Sequence, residues 1–197
     1  ASDVYKRQVK YWTQSVEFKS NFKEKIPNEG HAIISEIINS KKAGHCITQN
    51  VDNLHQKSGL DDASVTELHG NATFAVCLNC KKRFELLFIH EEFKSTNKPP
   101  KCDSCNGWIK TATISFGQPM PEDKMIIAHE ETLKADIFVV AGSSLSVFPA
   151  ANFPLIAKEN DAKLLIVNNE ETQFDHFADV LIHDDISKTF LNLKITH

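Results

Sequence analysis

From residue 121 onward the chain alternates between short apolar runs and longer stretches with helical spacing. "DIFVVAG", "KLLIVNN" and "ADVLIH" are continuous apolar runs of strand length. "PEDKMIIAHEETLKA", "PAANFPLIAKEN" and "DISKTFLNLKI" repeat their apolar residues at helical spacing. Buried strands alternating with helices predict a parallel sheet with helices on both faces, a Rossmann-like α/β fold. Pro121 suits a first helical turn, and Pro154 interrupts its helix early. Further upstream, "PNEGHAIISEIINSKK" predicts a helix capped by Asn28, with Ile33, Ile34, Ile37 and Ile38 on one stripe. Gly44 closes that helix. "HCIT" then predicts a short buried strand, and "NLHQKSG" a helical turn ending at Gly59.

Two stretches break this order. The opening "ASDVYKRQVKYW" shows no clear period and no initiator Met, so it predicts a trimmed fragment or residues foreign to the fold. Residues 74 to 112 mix cysteines, lysines and "NKPP", which interrupt any period and predict a separate small module.

Composition narrows the classes. A chain of 197 residues can build one good core plus a small satellite. Its 41% hydrophobic and 24% charged residues are ordinary for a globular protein, and a net charge of −4 does not favour nucleic acid or an anionic membrane. No apolar run approaches the roughly 20 residues of a membrane-spanning helix. No export signal is visible at the N-terminus, and four of the five cysteines stand in Cys-x-x-Cys pairs. That usage fits metal binding in a reducing compartment, with cytoplasm the expectation.

The pairs Cys77/Cys80 and Cys102/Cys105 are separated by 21 residues, close to the spacing of four-cysteine zinc sites. Four thiolates fill a tetrahedral shell and leave no open position, so one structural zinc is expected and His69 is not needed as a ligand. From residue 77 to 110, seven basic residues face four acidic ones, an excess of three that a solvated surface explains more cheaply than phosphate binding.

Three segments carry candidate chemistry, each with a plainer reading beside it. His69, next to the turn-forming Gly70, is a candidate general base, although a lone histidine is more often only packed or exposed. Thr48, Gln49, Asn50, Asp52 and Asn53 follow an apolar strand, where amides and a carboxylate can pair with a cofactor's amide and ribose hydroxyls; a polar loop with Asx turns reads the same way. Gly142, Ser143 and Ser144 stand at another strand end, where N–H groups and hydroxyls suit phosphate or ribose oxygens, but Gly-Ser-Ser is also a common turn.

Taken in order, "TQNVDNLHQKSG", "ELHGN", the two Cys-x-x-Cys pairs, "ISFGQPMP", "AGSSLSVFPAANFP" and "IVNNEETQFD" resemble the sirtuin family of NAD-dependent protein deacylases, from about Pro27 to Ile195. The resemblance implies that His69 is the catalytic base toward a ribose hydroxyl, with Asn50 beside it in catalysis. It places Gln49, Asn50, Val51 and Asp52 around the nicotinamide and its ribose. Gly142, Ser143 and Ser144 fall on the phosphate and adenosine side, Asn168 on the adenosine ribose and Asp185 near the adenine. Ile114, Ser115, Phe116 and Gly117 fall on the segment that pairs as a strand with an acylated-lysine peptide. Family members usually carry Glu where Gln118 stands.

The implied cofactors are NAD and one structural Zn2+. The implied partner is an acylated protein or peptide, with no nucleic acid or membrane expected. The domain plan that follows is an N-terminal segment and cofactor-loop helix in 1–40, a Rossmann-like NAD-binding lobe in 41–75 and 111–197, and a zinc-binding module in 76–110. The family's Gly-Ala-Gly phosphate loop has no counterpart before Gly30, the first glycine, so a chain lacking the family's N-terminal segment is expected. Two other functions fit the same scaffold: an inactive peptide-binding module and a protein ADP-ribosyltransferase.

Overall fold

The strands pair into three separate sheets in the computed structural model, which describes residues 2–22, 25–40 and 44–192. In chain order the elements are α1 (Ser2–Phe22), α2 (Glu29–Asn39), β1 (Cys46–Thr48), α3 (Leu54–Lys57), β2 (Val65–Glu67), β3 (Gly70–Cys77), β4 (Arg83–Glu85) and α4 (Leu86–Thr96). There follow β5 (Ile109–Thr113), α5 (Glu122–Leu133), β6 (Ile137–Ala141), α6 (Phe153–Glu159), β7 (Lys163–Val167), β8 (Val180–Ile182) and α7 (Ile186–Leu191). The chain divides into two units. The first is Ala1–Lys25, Asn50–Asn53 and His69–Pro119; the second is Ile26–Gln49, Leu54–Leu68 and Met120–His197.

The second unit holds the parallel strands that the apolar runs predict. β7 lies between β6 and β8, with Val139 opposite Leu165 and Val167 opposite Ile182. β1 and β2 form a separate parallel pair in which Cys46 faces Val65. Val140, Leu145, Ala151, Leu164 and Ile166 make one buried cluster, and Leu68, Ala128, Ala150 and Phe153 another. Ile137 and Val139 on β6 and Val180 and Leu181 on β8 stay exposed, so the described elements cover this sheet less completely than the pattern predicts.

Helix boundaries follow local chemistry. Asn28 caps α2 by accepting the His31 N–H at 3.1 Å, as expected. Pro154 falls in the first turn of α6, where no backbone N–H is required, so it starts that helix rather than interrupting it; the preceding residues form a short 3-10 turn. Pro121 stands just outside α5, at its N-cap position and without a side-chain capping bond, not in the first turn. The closing helix ends at Leu191, and residues 193–195 of its predicted length lie outside the described residues, as do the predicted residues 41 and 42 of α2.

The first unit is an antiparallel sheet, β4-β3-β5, packed against α1 and α4. The opening segment, expected to lack periodicity, is a helix of 21 residues. Val9, Trp12 and Val16 fall on one stripe of α1, and Trp12 is fully buried with Leu86, Ile89 and Phe93 of α4. Tyr11 accepts the Thr111 N–H at 3.2 Å, which ties α1 to β5. This unit therefore extends beyond residues 76–110: β3 starts at Gly70 and pairs with β5 as far as Thr113, so a boundary at 75 would cut a strand. The 1–40 segment is likewise divided, α1 lying in the first unit and α2 in the second. Among the described residues no helix is long and apolar enough to cross a membrane.

Candidate active site and metal centre

In the first unit, the loop Asn50–Asn53 is fastened to the start of β3, immediately after His69. The Ala72 N–H donates to the Val51 carbonyl at 2.7 Å, and the Asn71 amide donates to the Asn53 side-chain oxygen at 3.0 Å. Asn71 is 4% exposed, and its own oxygen accepts the Thr73 N–H at 2.8 Å and the Thr73 hydroxyl at 2.6 Å. Its polar atoms are thereby satisfied where burial demands it. Asn53 takes a left-handed φ of 64°. Val51, Asp52 and His69 are half-buried and Asn50 is exposed.

Gly70 explains why His69 can sit where it does. Its φ is +74°, and a Cβ there would lie 2.0 Å from the Ala112 carbonyl oxygen, so no side chain fits between β3 and β5. The His69 carbonyl accepts the Ile114 N–H at 2.8 Å, which brings the residues after β5 beside the histidine backbone. Asn50, Asp52, His69 and Ile114 thus belong to one fastened group.

Ile114–Gly117 is not a strand. The Gln118 N–H donates to the Ser115 carbonyl at 2.9 Å, and the Ser115 N–H donates to Gln118 Oε1 at 2.8 Å, which closes a turn with Gly117 at φ +82° and Phe116 wholly exposed. Lys110 Nζ donates to the same Gln118 Oε1 at 2.9 Å and also to the Thr113 carbonyl. Burial pushes the Lys110 ammonium below its ordinary range.

In the second unit, the Gly142 N–H continues the β6–β7 ladder to the Val167 carbonyl at 2.9 Å. Ser143 Oγ accepts the Gln49 amide at 3.4 Å and the Leu145 N–H at 3.2 Å, so the segment after β1 and the segment after β6 meet at one hydroxyl. Ser144 is exposed, its hydroxyl 2.7 Å from that of Ser146. The helix after this loop begins only at Phe153, so an anion here would meet loop N–H groups and hydroxyls, not a helix end. Asn168, at the end of β7, receives its backbone bond from β8: its N–H donates to the Ile182 carbonyl at 3.1 Å. Asp185 caps α7 by accepting the Lys188 N–H at 2.9 Å.

Cys77, Cys80, Cys102 and Cys105 converge, their sulfurs all within 4.8 Å of one another. The pairs Cys77–Cys105 and Cys80–Cys102 are 3.4 and 3.6 Å apart, near the ~3.8 Å edge of a tetrahedron with zinc–sulfur bonds of about 2.3 Å. Backbone N–H groups of Cys80 and Asn79 hold the Cys77 thiol down to about 6. Cys105 receives the Gly107 N–H, yet the neighbouring sulfurs push it up to about 12. A divalent cation among the four sulfurs would favour their thiolate forms. It could hold one zinc ion, and among the described residues His69 is not part of it.

Sequence reasoning did not single out Asn71, Lys110 or His183. Asn71 carried a signal, since it stands directly after "HG" at the start of a strand whose alternate residues are buried. Lys110 and His183 carried none, because no motif or spacing marks their contacts.

Comparison with known proteins gives these groups a setting. The Sir2 family model matches residues 1–149, which takes in α1 upstream of the Pro27 boundary that the motifs suggested. An NAD-dependent protein deacetylase of Rhodopseudomonas palustris is 45% identical over 178 residues, 90% of this chain and 70% of that one. One of Thermodesulfovibrio yellowstonii is 35% identical over 188 residues, 95% of this chain and 73% of that one. Among solved structures, Sir2 with a p53 peptide and NAD+ superposes with a TM-score of 0.82 at 32% identity, covering 93% of this chain and 78% of that one. Sir2Tm bound to a propionylated peptide gives 0.82 at 32% identity, covering 96% and 83%.

Proposed function

The chain belongs to the Sir2 family, and from that membership we infer that it is an NAD-dependent protein-lysine deacylase, with a deacetylase activity on acylated peptides. The observation that carries this reading is the 45% identity, over 90% of the chain, to a protein named for that activity. The fastened group around His69 supports it from the side of geometry.

When bound, NAD would supply an electrophilic ribose carbon, with nicotinamide as its leaving group, and a ribose hydroxyl to receive the acyl group. His69 takes a proton from that hydroxyl at a ring nitrogen. Asn50, Val51 and Asp52, held by the Ala72 and Asn71 bonds, orient the nicotinamide and its ribose and exclude competing water. Gln49, Gly142, Ser143 and Ser144 offer an amide, backbone N–H groups and hydroxyls to phosphate and ribose oxygens. Asn168 and Asp185 serve the adenosine end.

The turn Ile114–Gly117 receives the acylated peptide. It opens into a strand when backbone groups of a partner replace the Gln118 bonds to Ser115. Zinc, held by Cys77, Cys80, Cys102 and Cys105, joins the turn after β3 to the turn before β5 and takes no part in bond making. Free thiols are the state in which these four cysteines can serve a metal, and the cytoplasm is the compartment that keeps them so.

The test is nicotinamide release from NAD, measured with and without an acetyl-lysine peptide. Release that depends on the acylated peptide supports the reading. Label transferred from NAD to protein without deacylation would replace it by ADP-ribosyl transfer.

A further inference from the structure

Two side chains of the first unit occupy the backbone that a neighbouring strand would use beside β5. β5 is an edge strand, bonded only to β3. Backbone groups of an extended segment point alternately to its two sides. The Ile114 N–H is committed to His69 on the β3 side, so the Thr113 carbonyl and the Ser115 N–H face the open edge. Gln118 meets Ser115 there, accepting its N–H on Oε1 at 2.8 Å and donating its own N–H to the Ser115 carbonyl at 2.9 Å. Lys110 Nζ meets the Thr113 carbonyl and, at 2.9 Å, the same Gln118 oxygen.

Lys110 holds a positive charge against neutral partners. An ammonium has three N–H donors, and the two acceptors it finds here are a carbonyl and an amide oxygen. Among the described residues no ion pair joins Lys110 to a carboxylate. In register Lys110 faces Val76 of β3, and Val76 faces Arg83 of β4, so the next charged side chain in that row is another cation. Arg83 lies over the Phe74 ring, 3.7 Å from its centre. Lys110 is half-buried, and a charge withdrawn from water is stabilised when a countercharge meets it.

A partner strand reaches the Ser115 N–H only by displacing Gln118 Oε1, which is also an acceptor for Lys110. Docking therefore takes one of the two acceptors away from the ammonium. A carboxylate on the incoming peptide replaces the lost acceptor and supplies the missing countercharge in one contact.

We propose that Lys110 is a specificity residue for the peptide substrate: it favours acylated sequences that carry Asp or Glu close to the modified lysine. This rests on the reading of Ile114–Gly117 as the segment that receives the peptide. The preference runs against the charge of the whole chain. A net charge of −4 repels acidic peptides, so a gain from Glu comes from a local cation.

Fluorescence anisotropy with labelled acetyl-lysine peptides measures the preference without turnover. The peptides differ only in Gln or Glu, placed singly at each of the two positions on either side of the acetyl-lysine. At one or more of these positions the Glu peptide is expected to bind the wild type about three- to tenfold more tightly, the range of a charge-assisted bond to a partly exposed ammonium. Added salt should shrink the ratio. Lys110→Arg should keep it and Lys110→Met should abolish it. Gln118→Glu, which supplies the carboxylate from within the chain, should abolish it too. The ratio compares two peptides on one preparation, so a general loss of affinity in a variant does not imitate the result. Equal affinity for Gln and Glu peptides at all four positions would overturn the proposal, as would a preference that survives in Lys110→Met. If the preference holds but no peptide is deacetylated with NAD, the deacylase reading fails and the role of Lys110 stands.

Discussion

Asn71 donates its side-chain amide to the side-chain oxygen of Asn53 at 3.0 Å, across 18 residues of chain, and so fixes the Asp52 loop to the strand that starts one residue after His69. The bond lies in a buried place, where an unmade partner costs more than the bond itself gains. Asn71→Leu keeps roughly the same bulk but strands the Thr73 N–H and the Asn53 oxygen. It is expected to destabilise the protein by about 1–3 kcal/mol. It should also lower kcat/KM for deacylation by tenfold or more, because orientation of the loop is lost. Thermal unfolding and steady-state kinetics on the same preparation check both; unchanged kcat/KM would show that the latch does not serve catalysis.

Gly70→Ala tests the close approach behind the histidine. A methyl group would meet the Ala112 carbonyl at 2.0 Å in a backbone conformation with φ +74°. The expected loss exceeds the roughly 1 kcal/mol of an ordinary glycine substitution, and the β3–β5 pairing should open first. Hydrogen exchange at the Ile114 amide, which donates to His69, reports this directly.

The parallel strands could be read from the sequence because long apolar runs such as "KLLIV" admit few other solutions. The four cysteines were legible because metal-ligand spacing is local within each pair. Other features were not. α1 was hidden because Val9, Trp12 and Val16 form a narrow stripe among polar residues, and only their packing against α4 marks it as a core helix. The strands β3, β4 and β5 were hidden because their partners are distant in sequence and their composition is dominated by the metal module. Residues 114–117 were expected as a strand, yet without a partner Gln118 supplies the bonds that a neighbouring strand would make, and a turn results. The latch residue Asn71 acts through a side chain 18 residues away in the sequence, which no local pattern displays.

Metal content should follow the cysteines alone. Analysis of the purified protein is expected to give about one zinc per chain, and Cys102→Ala should lose it and destabilise the first unit. Chelation should do the same to the wild type. Full retention of zinc in Cys102→Ala would contradict coordination by four thiolates.

Acid stability should carry the signature of Asp179. Its carboxylate accepts from Lys158 and from the Leu164 N–H, which hold it at about 2, below the ordinary 3.8. The folded pKa is depressed, so the stabilisation is present above the ordinary value and is lost as pH falls from about 4 toward 2. Asp179→Asn should lower the melting temperature near neutral pH and converge with the wild type at the acid end. Parallel curves down to pH 2 would show that the pair contributes nothing in solution.

The most direct test of the account is His69→Ala, assayed with NAD and an acetyl-lysine peptide while its zinc content is measured. If His69 is the base, zinc content and melting temperature stay near wild type and deacylation falls by about 10²-fold or more. If the variant releases zinc, or deacylates at the wild-type rate, His69 is structural and the proposed mechanism is wrong.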